Sequence, residues 1–490
     1  MAHMRETSSH DPCAHGALIT ALIFLLAGFI ATAGIATLPM DGHEAFVVQT
    51  THEMQARNDW IVPWFNDEPR LHKPPLNYWL TGATARAAGA LDHIEAWHGR
   101  LVSALAALAM AIVTFFAANM LYGRRVAVLS AFFLATSLGF FNYSHDARPD
   151  MLYAALCAAG YVAFISAWKT SVSRMQIFSV MLMWAAYALA TLSKGPHMPA
   201  MYLVASLIFC RMLRMPGRET LRLFRPVAGL VLTAAITLPW WYLVQHKLGG
   251  DGLNGTQLSG SLLTTIRFDQ FYDLYYFYRP LLLVLPWLVF LPHTVLHLRH
   301  TQNHKDSDKL LLLYILVPAL VLTFGSQERW FYMLPSLPPM IILLAAGANY
   351  MLDGRHNPQQ AYRWLLYLCL AAGIIYTIAG YLHIGWSKER FEFQALAQHA
   401  QALQRPDTPV YMLRLYPDVF VYYLKPRIRE EDNMDAIVKD IEEEGHTRAL
   451  IIMSPRAVSA IPPEIPHKVI YTTRAEQSKA LSLVLLNPAP

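Results

Sequence analysis

Cysteine is scarce in this chain: Cys13, Cys157, Cys210 and Cys369 are the only four among 490 residues. None pair as CxxC, no Cys/His ligand spacing occurs, and three of them lie inside apolar runs, which excludes a disulfide framework or a structural zinc module. Charge is scarce too. Asp, Glu, Lys and Arg make up 15% of the residues, against roughly a quarter in soluble domains. The formal net charge of +5 is small for this length and does not ask for a nucleic-acid partner. Internal repeats and low-complexity tracts are absent.

Apolar sequence takes their place, at 55% of the chain. Runs near the roughly 20 residues needed to cross a hydrocarbon core begin around Ala17, Leu101, Val126, Met151, Ile177, Met198, Val227, Leu281, Leu310, Phe331 and Trp364. The spacing predicts a polytopic α-helical membrane protein of about eleven spans, with the Met198 run short. The first run, Ala17 to Leu38, is too long for a signal-peptide core and lacks a clear cleavage site, so it reads as an uncleaved span.

Placing the N-terminus in the cytoplasm and alternating gives short inner loops that carry Arg124 and Arg125, Lys169 and Arg174, then Arg211, Arg214, Arg218, Arg222 and Arg225. Arg299, Lys305, Lys309, Arg355 and Arg363 follow on the same side. The outer turns hold far fewer cations, which is the positive-inside bias. Two outer segments are large, 39–100 and 247–280. Glu44 to Met54 reads as a short amphipathic helix and Asn77 to Leu80 as an aromatic interfacial element. Phe268, Phe271, Tyr272, Tyr275 and Tyr276 recur at helical spacing. Residues 1–383 thus form the membrane domain. From 384 to 490 the pattern alternates between helical and extended, with strands expected at Val410–Leu413, Ala449–Met453, Lys468–Thr472 and Leu481–Leu486. Helices are expected near Phe391–Leu403 and Met434–Glu444, so a small α/β domain follows on the outer side.

With sidedness assigned, the unusual polar residues collect on one side. Asp41, His43 and Glu44 follow the first span; His72 and Lys73 precede Pro74-Pro75; Asp146, Arg148 and Asp150 fill one outer turn; Lys194 and Glu328-Arg329 fill two more. A cation at a span end is ordinarily an interfacial anchor. A carboxylate there gains nothing from snorkelling and marks a functional candidate. These residue types suit transfer of a group off a phosphate. An acceptor hydroxyl needs a carboxylate base, a departing phosphate needs fixed positive charge or a metal, and an oxocarbenium-like sugar centre gains from nearby carboxylates. Asp41, Glu44 and Asp150 provide the first kind; Lys73, Lys194 and Arg329 provide the second.

Asp41-Gly-His-Glu44, Glu53-Met54, Asp59-Trp60-Ile-Val-Pro63, Lys73-Pro-Pro-Leu and Tyr78-Trp79 resemble the first outer segment of bacterial GT-C glycosyltransferases. The nearest groups are the lipid A aminoarabinose transferases and polyprenyl-phosphate mannosyltransferases. Arg148-Pro-Asp150-Met, Ser193-Lys-Gly-Pro196, Pro286-Trp287 and Arg329-Trp-Phe-Tyr-Met-Leu-Pro335 continue the resemblance in order to about Leu352. It implies a polyprenyl (undecaprenyl) phosphate-linked sugar donor, a lipid or glycolipid acceptor such as lipid A, and a periplasmic active site on the bacterial inner membrane. It also implies that Asp41 or Glu44 and Asp150 are the acidic residues, and that Lys73 contacts the carrier phosphate. Lys194 and Arg329 match basic positions near the cleft. The family often has adjacent Asp-Glu where this chain has Asp-Gly-His-Glu, and Glu where it has His72. His43 and His72 could therefore share a divalent metal with a carboxylate, although neither shows local ligand spacing, and two separate interfacial histidines are the simpler account. A protein O-glycosyltransferase of the same fold is an alternative. A lipid or sugar flippase would place charged sites near the midplane, commonly in inverted repeats, and neither feature is present. A non-catalytic scaffold whose tail binds a partner ranks last.

Overall fold

The computed structural model describes residues 12–249, 274–325, 329–382, 388–415, 418–424, 427–474 and 480–486. The chain divides into two compact units. One comprises Met1–Ala33, Ser103–His145 and Pro149–Tyr381; the other comprises Gly34–Val102, Asp146–Arg148 and Leu382–Pro490.

The first unit is helical. A helix stands at each of the eleven expected positions. Among the described residues six are long and apolar enough to cross a membrane, including Pro149–Lys169, Ser173–Ser193 and Trp330–Asp353, and counting each of two bent pairs as one span gives up to eight. The 21 residues of Pro149–Lys169 rise about 32 Å, matching the hydrocarbon thickness. The bent pairs are Arg124–Ala135 with Leu138–Ser144, at 52°, and Tyr275–Val284 with Trp287–His300, at 110°. Thr20–Thr32 and His197–Met212 are shorter apolar helices, and Lys305–Thr323 opens on a charged first turn containing Asp306 and Asp308. Small residues let the helices approach: Gly160 lies against the Tyr187 ring and Gly229 against Trp184, whose indole N–H donates to Phe224 O at 2.7 Å. Such close contacts hold helices together where lipid is the solvent. Outward faces carry Val227, Leu230, Val231, Trp364 and Ile375, all exposed. Of the expected helix through Phe268–Tyr276, Tyr275–Tyr278 is helical; Phe268, Phe271 and Tyr272 lie outside the described residues.

The second unit is built around a mixed sheet. Within it β1 (Trp64–Phe65) and β2 (Glu68–Pro69) form a hairpin, and β3 (Val410–Leu413), β4 (Ile428–Glu431), β5 (Ala449–Met453), β6 (His467–Thr472) and β7 (Ser482–Leu486) form a five-stranded sheet ordered β4-β3-β5-β7-β6. β3 is parallel to β4 and β5, while β7 is antiparallel to β5 and β6. Strands β3, β5 and β7 are buried throughout, so they read as continuous apolar runs, as strands covered on both faces do. Alternate residues serve two cores. Tyr411, Leu413, Ile451 and Val484 meet the helix Met434–Glu443. Val410, Met412, Leu450 and Leu483 pack with Leu396 and Ala400 of the helix Lys388–Leu403, and with Ala45, Val48 and Phe65 from the first outer segment. That second core joins the early segment to the chain's last hundred residues.

β4 and the helix Asp418–Leu424 have no counterpart in the sequence expectation. β4 reads Ile-Arg-Glu-Glu with a single fully buried residue, the signature of an edge strand rather than of an apolar run. Its edge is met by Asn66, whose side chain donates to Ile428 O at 2.8 Å and accepts from Ile428 N–H at 2.9 Å.

Candidate active site

Two groups of charged side chains stand out, one in each unit. In the sheet-containing unit the helix Gly42–Ala56 begins at Asp41. The Asp41 carboxylate accepts from His43 N–H at 2.8 Å, and the Glu44 carboxylate reaches back to Asp41 N–H at 2.9 Å, a capping box. The expected amphipathic helix is therefore present, but Ala45, Val47, Val48, Thr50, Thr51 and Met54 are all buried, so it is packed on several sides.

Glu44 is fully enclosed. Arg100 grips it with two bonds of 2.7 Å, and Ala147 N–H donates at 2.8 Å. Arg100 spends its remaining donors on the carbonyls of Ile35, Leu38 and Pro39, at 2.8, 2.8 and 3.0 Å. All five guanidinium N–H groups are thereby used. Arg390, from the helix Lys388–Leu403, lies 3.4 Å from Glu44, 3.4 Å from Asp41 and 3.1 Å from Asp146. Two chain segments thus place three carboxylates around one guanidinium carried by a third.

Their electrostatics differ. Burial would raise the Glu44 carboxyl, but the charge and hydrogen bonds of Arg100, with Arg390 and Ala147 N–H, hold it below its ordinary value. Burial opposes Asp41 in the same way, yet His43 and Arg390 hold it well below the usual carboxylate range. Asp146 goes the other way. Burial and the Glu44 charge push it up to about 6, against the pull of Arg390 and Arg148. Asp41 retains 33% of its side-chain exposure while Glu44 retains none, so of the two only Asp41 can meet a solute.

Lys73 lies in the same unit, half-buried, just before the helix Leu76–Ala87. His72 is exposed; partial burial and the charges of Arg70 and Lys73 push its imidazole below its ordinary value, which favours the neutral ring. Among the described residues no three His, Cys, Asp or Glu side chains stand close enough to hold a metal ion, so His43 and His72 are not joined there by a third ligand. Several motif residues turn out to shape the segment. Glu53 accepts from Asn66 N–H and Asp67 N–H at 2.8 and 3.2 Å. Both turn residues have positive φ, 58° and 64°, as a two-residue hairpin turn requires. Asp59 accepts from Ile61 N–H, and Trp79 donates to Trp60 O at 2.7 Å.

In the helical unit Asp150 occupies the first turn of Pro149–Lys169 and pairs with Lys194 at 2.5 Å, both side chains being buried. The Lys194 ammonium also lies 5.8, 5.4 and 4.6 Å from the ring centres of Tyr153, Phe331 and Tyr332, within cation–π reach. Lys194 ends the helix Ser173–Ser193. Gly195 follows at φ 124°, which L side chains rarely adopt, and Tyr153 donates to Gly195 O at 3.0 Å. Arg329 is exposed and directly precedes the short helix carrying Phe331 and Tyr332. Asp150, Lys194 and Arg329 thus belong to one unit; Asp41, His43, Glu44, His72 and Lys73 belong to the other.

Sequence reasoning left Asp146 without a role and did not single out Arg100 or Arg390. Arg100, in the first turns of an otherwise apolar helix, carried a usable signal, since a cation there needs a partner. Arg390 carried none.

The sequence model of the dolichyl-phosphate-mannose-protein mannosyltransferase family matches residues 72–243. An undecaprenyl phosphate-alpha-4-amino-4-deoxy-L-arabinose arabinosyl transferase of Pectobacterium carotovorum is 24% identical over 319 residues, 63% of this chain and 56% of the relative. Its Yersinia pestis counterpart is 23% identical over 343 residues, 68% and 59% of the two chains. The chain thus spans between half and two thirds of the length of these curated relatives. The crystal structure of ArnT from Cupriavidus metallidurans bound to undecaprenyl phosphate superposes with a TM-score of 0.74 at 17% identity, covering 98% of this chain and 99% of that one. The archaeal oligosaccharyltransferase AglB from Archaeoglobus fulgidus, in complex with an inhibitory peptide and a dolichol-phosphate, superposes with a TM-score of 0.57 at 11% identity over 92% and 70%. The resemblance read from the motifs is borne out, and so is the fold class.

Proposed function

From the premise that this chain is a GT-C-fold relative of the aminoarabinose transferases, we propose that it is a polyprenyl-phosphate-dependent glycosyltransferase. It would move a sugar from an undecaprenyl phosphate carrier to an acceptor hydroxyl or phosphate at the periplasmic face of the bacterial inner membrane, the acceptor being a glycolipid such as lipid A. The observation that carries this reading is the overlap of nearly the whole chain with a protein crystallised on undecaprenyl phosphate. A pentosyl donor is favoured because the curated relatives are arabinosyl transferases. The positive-inside bias supports a cytoplasmic N-terminus, with residues 1–383 as the membrane domain and 384–490 on the periplasmic side.

In the step proposed, the bond from the sugar anomeric carbon to the carrier phosphate breaks, and the phosphate leaves with the electron pair. An acceptor oxygen forms the new bond. Lys73 is assigned to the carrier phosphate, where negative charge grows; Lys194 and Arg329 are the helical unit's candidate phosphate partners and Asp150 its acidic candidate. Asp41 is held firmly ionised, which suits stabilisation of a cationic sugar centre. For a hydroxyl acceptor a carboxylate must also take the proton, and Asp146, at about 6, is nearest the basicity such a step favours.

A second reading, hexosyl transfer to a protein hydroxyl, is supported by the mannosyltransferase family match. Membranes supplied with labelled undecaprenyl-phosphate sugar test both. Label is expected in glycolipid, with a pentose-sized increment in lipid A mass; label in protein would favour the second reading. Lys73→Ala is expected to fold and to lose transfer by a hundredfold or more. Asp150→Asn is expected to lose transfer as much and also to lower Tm, because it strips the buried Lys194 of its counter-charge. Normal turnover in both would discard these assignments.

A further inference from the structure

We propose that Arg390 is a positioning residue for the carboxylate group, so that the chain's last hundred residues complete the candidate site of their unit instead of forming a separate appendage. The inference deepens the glycosyl-transfer reading and rests on it. Arg390 contacts Asp41, Glu44 and Asp146 together, at 3.4, 3.4 and 3.1 Å. It sits in the first turn of the helix Lys388–Leu403, where the helix dipole disfavours a cation. Its position is therefore explained by what it faces rather than by the helix that carries it. The helix is itself anchored, since Leu396, Ala397 and Ala400 are buried in the core that includes Ala45 and Val48. A second tie runs in parallel: Met40 N–H, one residue before Asp41, donates to the Tyr423 hydroxyl of the helix Asp418–Leu424 at 3.1 Å.

Arg100 cannot do this work. Its donors are committed to Glu44 and to three backbone carbonyls, whereas Arg390 brings a guanidinium within 3.4 Å of Asp41 and 3.1 Å of Asp146. A guanidinium suits the place because its planar fork serves several oxygens at once, which an ammonium does less well.

The charged groups acting on Asp146 are Glu44, Asp41, Arg390, Arg148 and Arg100. Removing Arg390 takes away an attraction and leaves the two carboxylates, so Asp146 binds its proton up to a higher pH. Folded protein lacking Arg390 then suffers most where Asp146 is ionised, at pH 8, and least where it is protonated, at pH 5.

The test compares the full-length wild type with Arg390→Gln and Arg390→Lys in membranes supplied with labelled undecaprenyl-phosphate sugar. Arg390→Gln is expected to lose at least tenfold in kcat with a smaller change in donor KM, and Arg390→Lys to recover part of that loss. Turnover of Arg390→Gln within twofold of wild type overturns the proposal. A substrate-free arm measures thermal unfolding in detergent at pH 5 and pH 8. A Tm deficit for Arg390→Gln that grows with pH supports the clamp, and an equal deficit at both values overturns it. Should the wild type transfer no sugar, the functional reading fails, while the unfolding arm still judges Arg390.

Discussion

Among individual residues, two acidic side chains that look interchangeable in sequence do different work. Glu44 is sealed beneath Arg100, so it acts as an internal strut. Arg100→Ala would break a buried ion pair and leave Glu44 to Arg390 and the Ala147 N–H, a change that costs about 3–5 kcal/mol. Thermal unfolding of the detergent-solubilised protein should show a large loss of Tm or of folded yield. Asp41 is different because it is partly exposed and caps a helix. Asn is as good an N-cap as Asp, so Asp41→Asn removes the charge and keeps the cap. Its Tm is expected to stay near wild type while sugar transfer falls at least tenfold; equal losses of both would mean that Asp41 is structural too. His43-Glu44 and Asp41 are separated by a single glycine, and nothing in that spacing tells the strut from the exposed group.

Secondary-structure elements reveal why the motif-rich first segment is so demanding of its residues. The helix Leu76–Ala87 lays Tyr78 against Val47 and Met54 of the neighbouring helix, with Trp60 and Trp79 around them. A side chain at Gly82 would put its Cβ 2.4 Å from the Trp60 ring. Replacing a helix-interior glycine with alanine normally gains about 0.5–1 kcal/mol, whereas overpacking a filled core costs about 1–3 kcal/mol. The second term is the larger, so Gly82→Ala should lower Tm in spite of its better helix propensity. A raised Tm would show that the Trp60 ring has room to move. The hairpin beside it depends on Glu53, which holds both N–H groups of the Asn66-Asp67 turn. These residues carried the family resemblance, and their work is to shape the segment that presents Asp41 and Lys73.

For the molecule as a whole, the sheet-containing unit draws on three stretches far apart in the chain. Ala45, Val48 and Phe65 share one apolar core with Leu396, Val410 and Leu450. Truncation after residue 387 would expose that face of the first outer segment to water. Limited proteolysis of membranes from such a truncation should therefore cleave within residues 34–102, where the full-length chain resists. Unchanged resistance would mean that the early segment folds without the tail. The same core explains why a scaffold reading, in which the tail alone matters, is hard to separate from catalysis by deletion and easier to separate by Arg390→Gln.

Composition and apolar periodicity determined much on their own: the membrane class, the positions of the helices, and four of the five sheet strands to within about a residue. Those features follow from local rules, because a span must be long and apolar and a doubly covered strand must be apolar throughout. The charged residues flanking the spans were legible as candidates for the same reason, since ionisable groups at a membrane need a purpose. Tertiary structure alone decided which of them meet. The pairing of Asp150 with Lys194 spans 44 residues and that of Glu44 with Arg390 spans 346, and such partners are chosen by packing that no local pattern encodes. The edge strand β4 escaped notice on similar grounds, because its single buried residue makes sense only beside β3 and Asn66.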